Sequence, residues 1–381
     1  MIYKVLSDFS SYVNERIPVE KLNLNNYIST ENMLQNKNGI VKSAKLPTTK
    51  SVVSYQKGDI LISNIRPYFK KIWYANKNGG CSNDVLVIRA HENYNSKFLY
   101  YILSSDNFFD YVMSMSKGTK MPRGDKSAIM QYSIPNLSSK EQFEISETLS
   151  SIDKLININS KINHHLATLL QVNLNRHLET AAVKSRIGEL DLKVSDHVAN
   201  GSFKSLKDNV EIVEKPDFAL FLRNVDLKNN LNGDRRYVTE SSYNFLKKSH
   251  LYGHEVIISN VADVGSVHRV PKMNVPMVAG NNVVFLQATN GLLTDYLYVY
   301  FKSKFGQHDI TSITSGSAQQ KFNKTDFRNL EVPILSDEII KNEITPLLCY
   351  MDNNNGETVR LKELRDTLLP KLMTGEISVT A

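Results

Sequence analysis

The chain of 381 residues has few cysteines and no long apolar runs. Its two cysteines, Cys81 and Cys349, exclude a disulfide framework or a cysteine-rich metal site. No apolar run approaches the ~18 residues needed to span a bilayer. The N-terminus also lacks a basic start followed by an apolar stretch. We therefore expect a cytoplasmic protein without membrane association.

Sequence motifs of several enzyme classes are also missing. The nine histidines include no H-E-x-x-H pair, and the adjacent His164 and His165 face different ways on a helix. The stretch "GTKMPRGDKS" has Asp125 where a phosphate loop needs lysine directly after its second glycine. These absences argue against a zinc hydrolase and a nucleotide-binding enzyme.

The positive charge is concentrated in two stretches of the first third of the chain. The net charge of +7 at pH 7 by itself indicates an anionic partner only weakly. Two stretches carry cations and no acids: Arg66, Lys70, Lys71 and Lys77 lie between Asp59 and Asp84, and Lys117, Lys120 and Arg123 lie between Asp110 and Asp125. Such clusters are more informative than the total charge because they place the cations on particular loops.

An internal repeat runs through the whole chain. "GDILISNIRPYF" from Gly58 corresponds to "GHEVIISNVADVG" from Gly253, and their Ser-Asn pairs are 196 residues apart. Further correspondences follow in the same order at offsets of 198 or 199, namely Gly118 with Gly316, Pro135 with Pro333, and Asp153 with Asp352. Four correspondences at a nearly constant offset show that the chain is a tandem duplication.

Each copy has a β-rich part followed by a helical part. In roughly 1–135 and 186–333, the runs "DILISNI", "DVLVIRA", "EVIISNV" and "NVVFLQA" predict strands. One helix is predicted near "SKFLYYILSSDNFFDYV" and one near "TDYLYVYFKSKFG". In 139–178 and 337–373, apolar residues recur at steps of three and four, which is typical of a coiled-coil seam.

Polar residues interrupt both predicted seams near their middles, where they can fix the register of two paired helices. These residues are Asn159, Asn163, Asn354 and Asn355. The same periodicity also fits two amphipathic helices that each pack on their own domain, so both interpretations stay open at this point.

The plan of globular part, long helix, globular part and long helix resembles the specificity (S) subunit of type I restriction-modification systems. Its most specific marks are "TSGSAQQKFNKTDFRNLEVPILSDEI" and "LRDTLLPKLMTGEISV". The resemblance covers essentially the whole chain. The first copy departs from it after Gly118, where "TKMPRGDKSAIMQ" replaces the usual small polar loop.

The resemblance implies an α+β fold with a pseudo-two-fold internal repeat. Two mixed, β-rich target-recognition domains are expected at 1–138 and 186–335. Two long conserved helices are expected at 139–180 and 336–381, pairing as an antiparallel coiled coil.

The resemblance also implies a DNA-recognition subunit without catalysis of its own. Each half would read one half of a bipartite double-stranded target, and the paired helices would set the spacer and dock the methyltransferase subunits. The expected partners are two methyltransferase (M) subunits and motor-nuclease (R) subunits. S-adenosylmethionine, ATP and Mg would be bound by those partners, and no cofactor by this chain.

Candidate DNA-binding residues follow from the chemistry of base and phosphate recognition. Guanidinium and amide groups suit base edges, which predicts Asn64, Arg66, Arg123, Asn260, Arg269, Gln319, Gln320 and Asn323. Lysines suit phosphates and set register, which predicts Lys70, Lys71, Lys117, Lys120, Lys321 and Lys324. Neither group identifies the bases or the spacer length.

Two alternative functions remain. One is a coiled-coil adaptor that binds proteins and not DNA. The other is a metal-dependent nuclease built on "PDFALFLRNVDLK", with Pro216, Asp217, Asp226 and Lys228 as its candidates. The corresponding stretch of the first copy, "NNYISTENML", keeps neither the acids nor the lysine, which weakens the nuclease hypothesis.

Overall fold

The computed structural model describes residues 2–118, 120–180, 183–231, 233–374 and 376–377. The chain divides into two compact units, Met1–Ile158 with Glu357–Ala381 and Asn159–Gly356. Each of the two boundaries between these units, after Ile158 and after Gly356, falls inside a long helix. Among the described residues, no helix combines the length and the apolar character needed to cross a membrane.

The first copy consists of short strands, short helices and one long helix. Its strands are β1 (Tyr3–Val5), β2 (Ser10–Tyr12), β3 (Arg16–Pro18), β4 (Tyr27–Ile28), β5 (Ser51–Tyr55), β6 (Ile60–Ser63), β7 (Ile72–Tyr74), β8 (Gly79–Cys81), β9 (Val85–Ala90) and β10 (Ser133–Pro135). Its helices are α1 (Leu6–Phe9), α2 (Ser96–Leu103), α3 (Asp106–Ser114), α4 (Lys126–Met130) and the long α5 (Ser139–Leu178). The strands form sheets of order β2-β9-β6-β7 and β3-β5-β8-β4, and β1 pairs with β10.

The second copy repeats this plan. Its strands are β11 (Lys184–Arg186), β12 (Lys193–Asp196), β13 (Ile212–Val213), β14 (Ala219–Leu222), β15 (Tyr237–Val238), β16 (His250–Leu251), β17 (Val256–Ser259), β18 (Val267–Arg269), β19 (Met277–Ala279), β20 (Val283–Gln287) and β21 (Glu331–Pro333). Its short helices are α6 (Phe203–Asn209), α7 (Asn224–Lys228), α8 (Glu240–Phe245), α9 (Gly291–Lys302), α10 (Lys304–Ser312) and α11 (Lys324–Arg328). The sheets have the orders β12-β20-β17-β18 and β13-β15-β14-β19-β16, and β11 pairs with β21.

The central sheets of the two copies agree in strand order and in register. Strand β6 pairs antiparallel with β9 so that Ser63 lies opposite Val85. Strand β17 pairs antiparallel with β20 so that Ser259 lies opposite Val283. Both central strands are buried along their whole length, which fits the three apolar residues that precede the final serine of each. The duplication seen in the sequence is therefore a duplication of structure.

The helix predicted after the sheet is broken into two in each copy. Ser105 accepts a hydrogen bond from the backbone N–H of Phe108, and Ser303 accepts one from Gly306. Each serine therefore starts a new helix as an N-cap. The single helix expected from the apolar pattern was wrong because that pattern continues across the cap.

The two long helices are shared between the units. The C-terminal segment comprises α12 (Asp337–Ile339), a π-helical turn (Ile340–Ile344) and α13 (Thr345–Met373). In the first unit, Ile145 and Leu149 of α5 share a core with Leu369 and Leu372 of α13. Each helical segment thus contributes one end to that core, which is the antiparallel arrangement.

The second unit is built in the same way. Leu170 and Leu174 from the later half of α5 share a core with Ile340 and Ile344 from the start of the C-terminal segment. The helices pack both on each other and on the globular parts. The two interpretations of their periodicity, a paired seam and packing on a domain, therefore hold together. Each helix begins on the globular part of its own copy and ends on that of the other copy.

Asparagines join the two helical segments within the second unit. The Asn163 side-chain amide donates to the Asn355 side-chain oxygen at 2.8 Å and to the Met351 carbonyl at 3.3 Å. The Asn354 amide donates in turn to the Asn163 side-chain oxygen at 2.9 Å. These contacts fit the predicted role of polar residues in fixing the register.

Candidate nucleic-acid interface

Two loops meet at the end of the central strand in each copy. We call residues 64–71 and 260–266 the strand-end loops, and residues 117–123 and 315–321 the tip loops. Residue 119 of the first tip loop lies outside the described residues. The strand-end loops follow β6 and β17, and the tip loops precede α4 and α11.

In the first copy, backbone hydrogen bonds tie the two loops together. The Arg66 N–H donates to the Pro122 carbonyl at 2.8 Å, and the Gly124 N–H donates to the Asn64 carbonyl at 3.2 Å. Lys117 and Arg123 exchange two backbone hydrogen bonds of 3.0 Å, which close the tip loop. Because four backbone hydrogen bonds fix the path of the chain, the loops form a rigid frame for the side chains they carry.

The second copy has the same hydrogen bonds at the repeat-related positions. The Ala262 N–H donates to the Gln320 carbonyl at 3.1 Å, and the Phe322 N–H donates to the Asn260 carbonyl at 3.1 Å. Ser315 and Lys321 close the second tip loop with bonds of 2.8 and 2.9 Å. The two copies therefore share one backbone frame.

Left-handed backbone conformations recur in this frame. Arg66 has φ +51° and Ala262 has φ +64°, which is a costly conformation for residues with a Cβ atom. Gly118 and Gly316 have φ +95° and +103°. A Cβ on Gly316 would lie 2.4 Å from the Gln319 carbonyl oxygen, so only glycine fits there. The first copy departs in sequence after Gly118 from the family that the chain resembles, but its loop keeps the same backbone hydrogen bonds.

Arg66 carries an uncommitted guanidinium in the first frame. Within the described residues it has no hydrogen-bond acceptor, and its Nε is buried without a partner. The guanidinium carbon lies 6.0 Å from the centre of the Phe69 ring, which holds the side chain in place. A half-buried arginine in this state can bind an acceptor with little loss of side-chain freedom.

Lys71 lies beside Arg66, but its ammonium group is bound within the fold. Its Nζ donates to the Thr30 carbonyl at 2.6 Å and lies 5.7 Å from the centre of the Phe69 ring. Burial lowers the pKa of Lys71, and the nearby Arg66 charge lowers it further. The lysine supports the strand-end loop, and it adds positive charge to the surroundings of Arg66.

The other predicted cations of the first copy are paired or exposed. Lys70 and Lys37 both bind the Asp106 carboxylate, at 3.0 and 2.8 Å. Burial raises the pKa of Asp106, but the two lysines together hold it below its ordinary value. The remaining positions are Lys117 paired with Asp125, Arg123 paired with Asp84, and Lys120, which is exposed.

The tip-loop pairs leave their cations accessible. Lys117 and Arg123 keep most of their side-chain surface in solvent. Surface ion pairs of this kind contribute little to stability, so a phosphate can replace the carboxylate at small cost. Both residues therefore remain compatible with the predicted DNA contacts.

In the second copy, the tip loop carries exposed polar residues, and the two predicted residues that follow it are bound within the fold. Gln319, Gln320 and Lys321 are exposed. Asn323 is the N-cap of α11 and accepts a hydrogen bond from the Asp326 N–H. Lys324 pairs with Asp196 at 3.1 Å. The capping and the ion pair give these two side chains structural roles that the sequence pattern did not reveal.

Asn64 and Asn260 face inward from the strand-end loops. The side-chain oxygen of each is buried without a hydrogen-bond partner. The Asn260 side-chain amide donates to the Phe322 carbonyl at 3.3 Å, and a Cβ on Gly124 would lie 2.9 Å from the Asn64 side-chain oxygen. Both asparagines build the frame through their backbone carbonyls, and the contact of their side-chain amides with base edges stays a prediction.

Arg269 requires a correction because it lies outside the loop frame. Its guanidinium binds Asp295 at 2.6 Å and also binds Asp352, and the side chain is 10% exposed. The repeat-related residue in the first copy is Tyr74, whose register opposite Ile60 matches that of Arg269 opposite Val256. Arg269 holds β18, α9 and α13 together and is not available to a base edge.

The loop frames contain two further residues at their surface that the sequence interpretation did not name. Met121 is an exposed apolar side chain in the first tip loop, and its repeat equivalent is Gln319. Ala262 is exposed and occupies the position of Arg66 in the second frame. Neither has hydrogen-bonding side-chain atoms of the kind sought, but the offsets of 196 and 198 residues identify both positions.

The carboxylates of the nuclease hypothesis have other partners. Asp226 is buried and bound by the Arg223 guanidinium at 2.7 Å, while Lys228 pairs with Asp263 at 3.1 Å. In the part of the chain that the structure describes, no three histidine, cysteine or acidic residues are grouped to hold a metal ion. The hypothesis has no support in the geometry.

Comparison with known proteins agrees with the duplicated frame. The family model described as type I restriction modification DNA specificity domain matches residues 3–168 and again residues 197–363. The chain belongs to this family. It carries the specificity domain twice, as the internal repeat predicted, and the adaptor alternative is not favoured.

Relatives and a solved structure extend over most of the chain. The MjaIX specificity subunit of Methanocaldococcus jannaschii is 23% identical over 74% of this chain and 69% of its own length. The HindI specificity subunit of Haemophilus influenzae is 22% identical over 98% of both chains. The S subunit structure from M. genitalium covers 98% of this chain and 96% of its own, with a TM-score of 0.54 and 19% identity. This likeness supports the fold of two target-recognition domains and long helices.

Proposed function

We propose that the chain is the DNA-recognition subunit of a type I restriction-modification complex and that each copy recognises one half of a bipartite target. The observation that supports this most is the hydrogen-bonded loop frame, which is built twice with different side chains. One frame carries the uncommitted Arg66, and the other carries the exposed Gln319 and Gln320. A common frame with different donors and acceptors suits two half-sites of different sequence.

The side chains divide by the DNA groups that they suit. The Arg66 guanidinium can offer two parallel N–H donors to guanine O6 and N7, and glutamine amides suit adenine. Lys120 and Lys321 are exposed cations in equivalent regions of the tip loops and suit phosphates. Base contacts would supply the sequence preference, while phosphate contacts would supply affinity and register.

The chain itself is assigned no catalytic role. The family implies two methyltransferase subunits that use S-adenosylmethionine, and motor-nuclease subunits that use ATP and Mg. In this proposal, the present chain supplies the DNA sequence preference and the assembly surface, and it binds none of these cofactors.

Exposed apolar side chains on the long helices suit the docking of a partner subunit. In the second unit, Ile162, Leu169 and Val172 of α5 are exposed, and their spacing of seven and three places them on one face. In the first unit, Phe143, Leu155 and Ile158 of the same helix are exposed. We assign these residues to contact with the methyltransferase subunits.

Copurification tests the docking surface. Replacing Ile162 and Val172 with aspartate should abolish capture of the coexpressed methyltransferase subunit, because each charge would be desolvated at the interface. Ser160→Asp with His164→Asp introduces the same two charges at exposed positions on another face of α5 and serves as the matched control. Equal capture by both variants would place the methyltransferase elsewhere.

Selection of bound DNA tests the proposed function as a whole. The complex with its methyltransferase subunits should enrich two short constant sequences separated by a spacer from a random duplex library. Binding to that target should fall steeply as salt rises from roughly 50 to roughly 200 mM, because counterion release weakens. An adaptor would enrich no sequence.

A further inference from the structure

The two strand-end loops differ in the side chain at one shared left-handed position. Arg66 and Ala262 have φ values of +51° and +64°. Each donates its backbone N–H to the tip loop, at 2.8 Å to Pro122 and at 3.1 Å to Gln320. Because these constraints agree, the Cα–Cβ bond leaves both frames in a corresponding direction.

In the first frame, the side chain at this position is a hydrogen-bond donor that the surrounding residues restrain. The Nε of Arg66 is buried, the Phe69 ring lies beneath the guanidinium, and Lys71 is fixed next to it on the Thr30 carbonyl. The terminal amino groups of Arg66 therefore form the free end of a restrained side chain. Two such parallel N–H groups match the paired acceptors of guanine.

In the second frame, the same position carries only a methyl group. Ala262 is exposed and offers neither a donor nor an acceptor from its side chain. The following carboxylate, Asp263, accepts hydrogen bonds from Asn224 at 3.0 Å and from Lys228 at 3.1 Å. Both bonds are to the same oxygen, Oδ2, and tie the carboxylate to α7. Position 262 itself has no polar side-chain group.

We infer that residues 66 and 262 are equivalent specificity positions. Arg66 imposes guanine on one base pair of the first half-site, whereas Ala262 leaves one base pair of the second half-site unread. An arginine at position 262 therefore adds a guanine to the recognised sequence. This inference rests on the proposed function and assigns a specific position to it.

Ala262→Arg in the full chain, assembled with its methyltransferase subunits, tests the inference by selection from a random duplex library. One formerly variable position of the second half-site should become guanine, with an enrichment of roughly 5- to 150-fold. The first half-site should stay unchanged. The backbone already holds a Cβ at φ +64°, and Arg66 shows that arginine is accommodated in this frame.

Two further variants separate base recognition from added charge. Ala262→Lys brings the same charge without paired donors, so it should raise binding to all sequences and add no base. In Ala262→Arg with Asp263→Asn, the neighbouring carboxylate that would compete for the arginine is removed. The new guanine should be at least as strong in this variant.

The outcomes distinguish the inference from the function on which it rests. A wild-type complex that enriches no bipartite sequence would overturn the proposed function. A wild-type bipartite preference, with no added guanine in either arginine variant, would overturn the inference alone. If the arginine variants do not fold, Arg66→Ala decides the matter, because one guanine of the first half-site must then become variable, and an unchanged half-site refutes the inference.

Discussion

Arg66 and Arg269 show how the surroundings of a residue decide its use. Both have a buried Nε without a hydrogen-bond partner. The remaining donors of Arg269 are taken by Asp295 and Asp352, whereas those of Arg66 have no acceptor in the described part of the chain. An arginine beside a loop frame with free donors is a candidate for base recognition, and an arginine enclosed by two carboxylates stabilises the fold.

Arg66→Ala should weaken binding to the preferred target by ~1–3 kcal/mol and relax one position of the first half-site. The exposed Lys120 provides the comparison, because Lys120→Ala should weaken binding to all sequences alike and reduce the salt dependence by about one charge. Binding isotherms on specific and random duplex measure both. Equal losses on the two duplexes for Arg66→Ala would make Arg66 a phosphate contact.

Arg269→Ala should destabilise the second unit by ~3–5 kcal/mol, because Asp295 would remain buried without its ion-pair partner. Burial raises the pKa of Asp295, and the Arg269 charge partly offsets that rise. Without the arginine, the pKa rises further. The deficit is then largest at neutral pH and shrinks as the pH falls through this raised pKa toward the ordinary carboxyl range, where Asp295 is protonated in both states.

Chemical unfolding at several pH values measures this deficit, with Arg328→Ala on the exposed surface of α11 as the control. Hydrogen exchange would locate the loss in the second unit. A deficit that stays constant from neutral to acidic pH would show that Asp295 is not the group left uncompensated.

At the scale of elements, the long helices owe their arrangement to contacts that join distant parts of the chain. Leu369 and Leu372 complete the core of the first unit, although they follow the whole globular part of the second copy in sequence. Arg365 pairs with Asp153 in the same unit at 2.9 Å. Periodicity predicted the helices and their seam, but it contains no information on which globular part each end covers.

The strands, the duplication and the loop positions could be predicted from the sequence because they depend on local pattern and on a constant offset. The ion-pair partners of the charged side chains could not be predicted from the sequence. Lys70 is bound by Asp106, and Lys324 by Asp196, and both acids are brought close only by the tertiary fold. Similarly, Ser105 interrupts a helix whose apolar spacing continues without a break. The assignment of the predicted residues to bases or phosphates stays a prediction.

Asn163→Ala should weaken the pairing of the helical segments by ~1–3 kcal/mol, because it removes hydrogen bonds to Met351, Asn354 and Asn355. Asn157→Ala is the matched control on α5, since Asn157 is exposed and the helix propensity changes equally. Amide exchange in the two helices measures the effect. Equal protection in both variants would show that the asparagine contacts do not stabilise the pairing.

At the scale of the whole molecule, the proposed function requires the helices to set the spacer between half-sites. Adding one heptad to each helix, near Asn159 and Asn355, preserves the repeat of the seam. The insertion lengthens each helix by roughly 10 Å, which corresponds to about three base pairs of DNA. Selection from a library of variable spacers should return unchanged half-sites with a longer spacer. An unchanged spacer would exclude the helices as its determinant.

Two independent specificity domains on one chain are the central claim, and exchange of one domain tests it most directly. Residues 1–138 would be replaced by the corresponding segment of another specificity subunit, with both long helices kept. The adenine methylation motif of cells that express the chimera with its methyltransferase would then be sequenced. The account predicts a changed first half-site and an unchanged second half-site. A motif in which both half-sites change would contradict independent recognition by the two copies.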